Sequence, residues 1–276
     1  MISVLLLTGF TISTLVILIH FTVYFFLAEK KNNYGIIDIG WGQGFVFIAW
    51  ALILVQTQVL GVNSTPLAFL TVFFTTIWGL RLSYHIGLRN KGKPEDYRYV
   101  AMRANIEPPF RKLKGFVKIF LVQALFMFLI SIVIVFNVFS GINQEGWLSL
   151  PLLAGALVWI LGFYFQSVGD AQLARFKSHS ENKGKLMTRG LWALTRHPNY
   201  FGEVLMWWGI VVMGFSNSFS IILPIIGILS ALIVTFLLRY LSGVPLLEKR
   251  MKQHPGFPEY EKTTSVFIPW FPKKKR

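Results

Sequence analysis

Long runs of apolar residues alternate along the chain with short polar connections, and nowhere does the pattern show the strict alternation of a half-buried strand. Seven runs stand out, at 2–28, 36–56, 66–88, 116–139, 148–168, 200–216 and 219–241. Each is near the ~20 residues that a helix needs to cross a bilayer. Lipid admits only helices and closed barrels as spanning structures, and a barrel would need the missing alternation. The pattern predicts an all-α, polytopic integral membrane bundle of about seven transmembrane helices, with residues 1–276 forming a single membrane domain.

Composition agrees, with 54% hydrophobic and only 14% charged residues. The distribution of charge adds an orientation. With the N-terminus outside and the C-terminus cytoplasmic, all 27 Lys and Arg residues fall on or toward the cytoplasmic side. The opposite connections, QTQVLGVNST, SGINQEGW and SNS, contain no Lys or Arg. The net charge of +15 is then what positive-inside sorting produces, so the expected partner is the lipid bilayer and not nucleic acid. The terminal KKKR suits anionic headgroups. No basic segment precedes the first run, so it is read as a retained helix and not as a cleaved signal peptide. The chain has no cysteine, which excludes disulfides, thiolate metal sites and cysteine nucleophiles, and no metal site is expected. Short loops point to a bacterial cytoplasmic membrane, or to the endoplasmic reticulum if the chain is eukaryotic.

Ionisable residues at the ends of spanning helices are costly in lipid and are functional hypotheses by default. The second run opens with DIGWGQG, which places Asp38, Trp41 and Gln43 near the interface. The third closes with WGLRLSYHIGLR, where Trp78, Arg81, His85 and Arg89 follow helical spacing and Tyr84 adjoins them. For the Trp and Arg residues, interfacial anchoring is an equally good reading. The fifth run continues as FYFQSVGDAQLARFK, so Gln166, Asp170 and Lys177 form a polar stripe that needs a partner, unless it is simply a solvated extension.

The stretch RHPNYFGE begins the sixth run. Pro198 suits a first helical position, and Asn199 and Glu203 share a face at i, i+4. The backbone amides of this helix start form with Arg196 and His197 a natural anion site, or the two bases merely meet headgroups, and Tyr200 is counted with them among the expected cofactor-binding residues. A carboxylate there is better explained by a ligand offering donors, such as a ribose or carboxamide, than by phosphate alone. Downstream, Glu248 follows the last run, and HPGFPEYEKTTSVFIPWFP, with Tyr260 and Trp270, reads as a folded segment over the cytoplasmic mouth or as an amphipathic anchor.

RHPNYFGE, QSVGDAQLARFK, GVPLLE and SVFIPW together resemble the steroid 5-alpha-reductase-like bacterial family, whose superfamily includes sterol delta-14-reductases and isoprenylcysteine carboxyl methyltransferases. The resemblance covers 81–272 and is strongest after Tyr164, so 164–272 is identified as the cofactor-binding region. It implies that Gln166, Asp170, Lys177, Asn199 and Glu203 contact NADPH, with Glu248 and Tyr260 matching more loosely. The phosphates would lie near Arg196, His197 and the basic loop 183–189, and an apolar substrate would enter from the membrane.

The resemblance implies a reductase of a carbon-carbon double bond in a lipid, isoprenoid or sterol-like substrate. Steroid-reducing members carry a Gln-Glu-Leu-Pro stretch and a Tyr toward the ketone, where this chain has DIGWGQG and Trp78. Asp38, Tyr84 and His85, in that order, are the nearby groups able to donate a proton. Two other readings remain open: a methyltransferase using S-adenosylmethionine, and a non-catalytic lipid-binding or scaffold protein.

Overall fold

The computed structural model describes residues 2–139, 149–216 and 220–273, and the statements that follow concern those residues. Residues 140–148 and 217–219, which contain most of two connections expected outside, lie beyond the described set, as does the tail from 274. The described residues form twelve α-helices and no strand: α1 Ile2–Lys31, α2 Ile37–Leu54, α3 Pro66–Asn90, α4 Tyr97–Ala104, α5 Arg111–Gly115, α6 Val122–Phe139, α7 Leu150–Ser178, α8 Leu191–Leu194, α9 Pro198–Gly214, α10 Ile222–Phe236, α11 Val244–Met251 and α12 Phe257–Thr263. Six segments are long and apolar enough to cross a membrane: Ser3–Lys31, Tyr34–Val59, Pro66–Asn90, Arg111–Phe139, Leu150–Ser178 and Ile222–Met251. The remaining expected span, 200–216, is the 17-residue α9, at the short end of the spanning range.

Two units are distinguished by their internal packing, Met1–Ser149 with Gly214–Ser230, and Leu150–Met213 with Ala231–Arg276. The first is built on α1, α2, α3 and α6. Helix α3 starts where it does because Thr65 accepts the Ala68 amide at 3.2 Å and Pro66 takes the first helical position. Its backbone touches that of α2 at a glycine pair: a Cβ on Gly42 would lie 2.3 Å from the Gly79 carbonyl oxygen, so no larger residue fits. Two polar side chains donate to partners within the apolar interior. Gln56 donates to the Val138 carbonyl at 3.0 Å, and Asn137 to Thr71 Oγ1 at 3.1 Å. The short α4 is capped by Asp96, which accepts the Arg98 amide at 2.9 Å, and it docks through Arg98 on Asp38 and Arg103 on Asn32.

The second unit is organised by an antiparallel pair, α7 and α9, whose glycines recur every seven residues. A Cβ on Gly155 would sit 2.5 Å from the Met213 nitrogen, one on Gly162 2.6 Å from the Gly202 oxygen, and one on Gly209 2.7 Å from the Gly155 oxygen. Gly202 is tightest, with Gln166 N and Gly162 O both 2.4 Å from the position of a Cβ. The two backbones therefore meet without intervening side chains, and the polar ends of α7 and α9 are brought into direct contact.

Candidate functional site

Four of the expected residues lie on facing turns of α7 and α9. Gln166 and Asp170 are one turn apart on α7, and Asn199 and Glu203 one turn apart on α9. Gln166 Nε2 donates to Glu203 Oε2 at 2.9 Å, and Asn199 Nδ2 donates to Asp170 Oδ1 at 2.9 Å. The result is a two-rung ladder in which each carboxylate faces an amide. Gln166 and Asp170 are buried, and Asn199 and Glu203 are half-buried. The sevenfold glycine spacing makes this ladder possible, because Gly162, Gly169 and Gly202 remove the side chains that would hold the helices apart. The sequence reading passed over that spacing, although it was legible in positions 155, 162, 169, 202 and 209.

Arg196 and His197 sit beside the start of α9, but both are buried and engaged within the chain. Arg196 Nε donates to Glu248 Oε1 at 2.7 Å, and Nη1 donates to the Thr264 and Glu261 carbonyls at 2.8 and 3.2 Å. His197 Nε2 lies 3.2 Å from Glu248 Oε1; a carboxylate can only accept, so Nε2 carries the proton. Burial lowers the imidazole pKa, against the opposing pull of Glu248. The ring stacks on Tyr200 with centroids 5.9 Å apart, and its Nδ1 is buried without a hydrogen-bond partner. Pro198 and the Asn199 amide pack against Gly169, so the first turn of α9 is covered by α7. The expectation of phosphates against Arg196 and His197 therefore meets a guanidinium that already has three partners.

The segment after α11 is folded, as its Pro and aromatic content predicts. It returns to the strand-like stretch before α9, where Thr195 and Ser265 form an isolated parallel bridge and the Arg196 amide donates to Ser265 O at 2.8 Å. Tyr260 Oη donates to the Trp192 carbonyl at 2.5 Å, Trp192 Nε1 to the Gly169 carbonyl at 3.0 Å, and Thr195 Oγ1 to the Phe267 carbonyl at 2.8 Å. Burial pushes the Tyr260 phenol pKa up. Glu248 and Tyr260 thus hold the C-terminal segment to the loop before α9.

Lys177 is exposed near the end of α7. With Lys183 and Lys185 it lines a cavity of about 370 Å³ formed by the segment Phe176–Lys185. Gly184 turns this segment at φ +77°, and its carbonyl accepts from His254.

The three expected proton donors belong to the first unit. Asp38 accepts from Arg98 Nη2 at 2.8 Å and from the Tyr99 hydroxyl, Tyr84 is 70% exposed, and His85 is half-buried on α3.

Curated relatives are named as steroid 5-alpha-reductases and as a 3-oxo-5-alpha-steroid 4-dehydrogenase. The chain is 31% identical over 94 residues to Steroid 5-alpha-reductase DET2 of Gossypium hirsutum, and 33% identical over 95 residues to that of Arabidopsis thaliana. Each match covers 29% of this chain and 36% of the relative. It is 26% identical over 133 residues to 3-oxo-5-alpha-steroid 4-dehydrogenase 1 of Rattus norvegicus, covering 47% of this chain and 46% of the relative. The chain thus matches between about a third and a half of the length of these relatives. No solved structure matches. A family model, described as "Protein of unknown function (DUF1295)", matches residues 24–264, and over that length the chain belongs to this steroid 5-alpha-reductase-like family.

Proposed function

We propose that the chain is a membrane-embedded, NADPH-dependent reductase of a carbon-carbon double bond in an apolar substrate that enters from the bilayer. The observation that carries this reading is the ladder of Gln166, Asp170, Asn199 and Glu203, from which α7 continues to the lysine-lined segment 176–185. Amides and carboxylates in alternation suit a ligand that both donates and accepts, such as a ribose or a carboxamide. Exposed lysines around a cavity suit phosphate. The chemistry of the residues therefore fits a dinucleotide phosphate: Gln166, Asp170, Asn199, Tyr200 and Glu203 would hold its sugar and amide groups, and Lys177, Lys183 and Lys185 its phosphates. Arg196, His197, Glu248 and Tyr260 support the site by fixing the loop before α9.

The bound nicotinamide would supply a hydride to the alkene. The protein's part is to hold it, exclude water and deliver a proton, and Asp38, Tyr84 and His85 remain the proposed donors. The printed names of the plant and rat proteins, two reductases and a dehydrogenase, favour an oxidoreductase over a methyltransferase.

The test is thermal stabilisation of the purified protein by NADPH, NADH and S-adenosylmethionine, since a ligand that binds only the folded state raises the melting temperature by mass action. NADPH is expected to stabilise most, and Lys177→Ala to narrow its advantage over NADH. Stabilisation by S-adenosylmethionine alone would assign the site to methyl transfer. No stabilisation by any of the three would favour lipid binding without catalysis.

A further inference from the structure

The connection between α3 and α6, in the first unit, is strongly basic: residues 89–118 hold nine Lys and Arg against three Asp and Glu. Two of the three acids are engaged within the fold. Asp96 accepts from Arg98 Nε at 3.0 Å, and Glu95 accepts from Arg103 Nη2 at 2.7 Å and from the Tyr34 amide at 2.6 Å. Arg103 also lies over the Tyr34 ring at 5.0 Å, so the connection is clamped to the turn between α1 and α2. Arg111 and Lys112 are left exposed. Lys112 lies 3.3 Å from Glu29 Oε2, yet 80% of its side chain stays open.

Positive-inside sorting accounts for bases in this connection but is indifferent to where in it they stand. Here they surround an exposed apolar face. Phe110, Leu113 and Val117, at i, i+3 and i+7, are 74%, 60% and 46% exposed, and Arg111, Lys112, Lys114 and Lys118 flank them. Helix α5 begins the spanning segment Arg111–Phe139, so this face stands where a span enters the bilayer, at headgroup depth. Phe110 is held at φ 64°, a left-handed conformation that Gly or Asn adopts far more readily than an aromatic residue. Its ring is mostly outside the fold, so packing within the chain does not account for an aromatic there.

We propose that Phe110 and the bases around it form a binding site for an anionic phospholipid of the leaflet that this connection faces, with the Phe110 ring inserted among acyl chains and Arg111 and Lys112 on the lipid phosphate. Guanidinium and ammonium groups donate charge-assisted hydrogen bonds to phosphate oxygens. Leu113 and Val117 continue the acyl contact along the start of the span. Lys30 and Lys31, exposed at the end of α1 next to the Glu29 that Lys112 approaches, extend the positive field. A soluble anion would use the bases and leave Phe110 without a role, whereas a lipid uses both. The bound lipid also holds α4 at the bilayer surface, and with it Arg98, the partner of Asp38. The site does not depend on the reductase reading.

The test is a lipid titration of the full-length protein in detergent micelles, read by native mass spectrometry, with dioleoyl phosphatidylglycerol against dioleoyl phosphatidylcholine. Wild type is expected to bind the first phosphatidylglycerol about tenfold more tightly or better, since each base near a bilayer surface contributes roughly fivefold. Arg111→Gln with Lys112→Gln should abolish this preference. Lys252→Gln with Lys262→Gln, which removes the same charge from exposed positions in the second unit, should keep it. Phe110→Asn suits the left-handed backbone, so it should hold or raise the melting temperature while weakening the binding of both lipids several-fold. NADPH should leave the phosphatidylglycerol affinity unchanged. Equal wild-type affinity for the two lipids, a preference that survives Arg111→Gln with Lys112→Gln or is lost equally in the Lys252 and Lys262 variant, unchanged binding by Phe110→Asn, or displacement of phosphatidylglycerol by NADPH overturns the proposal. Failure of NADPH to stabilise the protein overturns the reductase reading instead and leaves this site untouched.

Discussion

Asp170 and Glu203 can be neutralised without breaking the two rungs of the ladder, because Asn and Gln still offer an oxygen to Asn199 Nδ2 and Gln166 Nε2. Asp170→Asn and Glu203→Gln should therefore stay folded and lose NADPH binding by at least tenfold, about 1.4 kcal/mol, as read from a binding titration beside a melting curve. If both variants bound NADPH like wild type, the ladder would be packing alone. His197 gives a prediction in pH. Burial depresses its pKa below the ordinary 6.5, so the folded protein resists a proton that the unfolded chain accepts. The stability this contributes is present above 6.5 and is lost as pH falls through that value toward the lower folded pKa. The melting temperature of wild type should thus fall more steeply with acidification than that of His197→Gln, which keeps a donor for Glu248; parallel curves would mean that the buried imidazole does not titrate as described. The residue types of the ladder were legible in the sequence, since i, i+4 spacing put each pair on one face. The engagement of Arg196 was not, because its partners Glu248, Glu261 and Thr264 are 52 to 68 residues away.

Every apolar run predicted from the sequence is helical over most of its described residues, residues 149, 215–216 and 220–221 at run ends excepted, because in lipid a backbone must satisfy its own polar groups. What periodicity did not disclose was how closely two of those helices approach. Gly155, Gly162 and Gly169 on α7 and Gly202 and Gly209 on α9 form a seven-residue repeat whose meaning depends on an antiparallel partner. Gly202→Ala would place a methyl 2.4 Å from Gln166 N and Gly162 O, both backbone atoms that cannot rotate away. It should cost about 3 kcal/mol or more and separate the ladder, seen as a lower melting temperature with loss of NADPH stabilisation. Gly87 is the contrasting case, in α3 with the nearest neighbour to a Cβ at 4.0 Å, on the Ile39 side chain. Gly87→Ala should stabilise by about 0.5 kcal/mol through helix propensity. An equal response of the two variants would show that the close contact of α7 and α9 is absent.

Over the whole chain, the bilayer sets the problem and charge sets the orientation. A reporter placed after Arg276 should read as cytoplasmic and one inserted in SGINQEGW as external, because Lys and Arg fall in alternate connections or toward the helix ends beside them. A cytoplasmic signal from the second site would refute the orientation. These properties were determined by the sequence alone, since hydropathy and charge act on each segment independently of its neighbours: an all-α membrane chain, its spans, the expected sidedness, and the polar residue types gathered near helix ends. Only the tertiary structure decided which polar groups are partners. It joined Gln166 to Glu203 and Asp170 to Asn199, committed Arg196 to Glu248, tied Asp38 to Arg98, and set Tyr24 against Gln43. The physical reason is range: a hydrogen bond requires approach within about 3.5 Å, and which residues meet at that distance depends on how closely helix backbones pack, a property of pairs of helices and not of any one stretch of sequence.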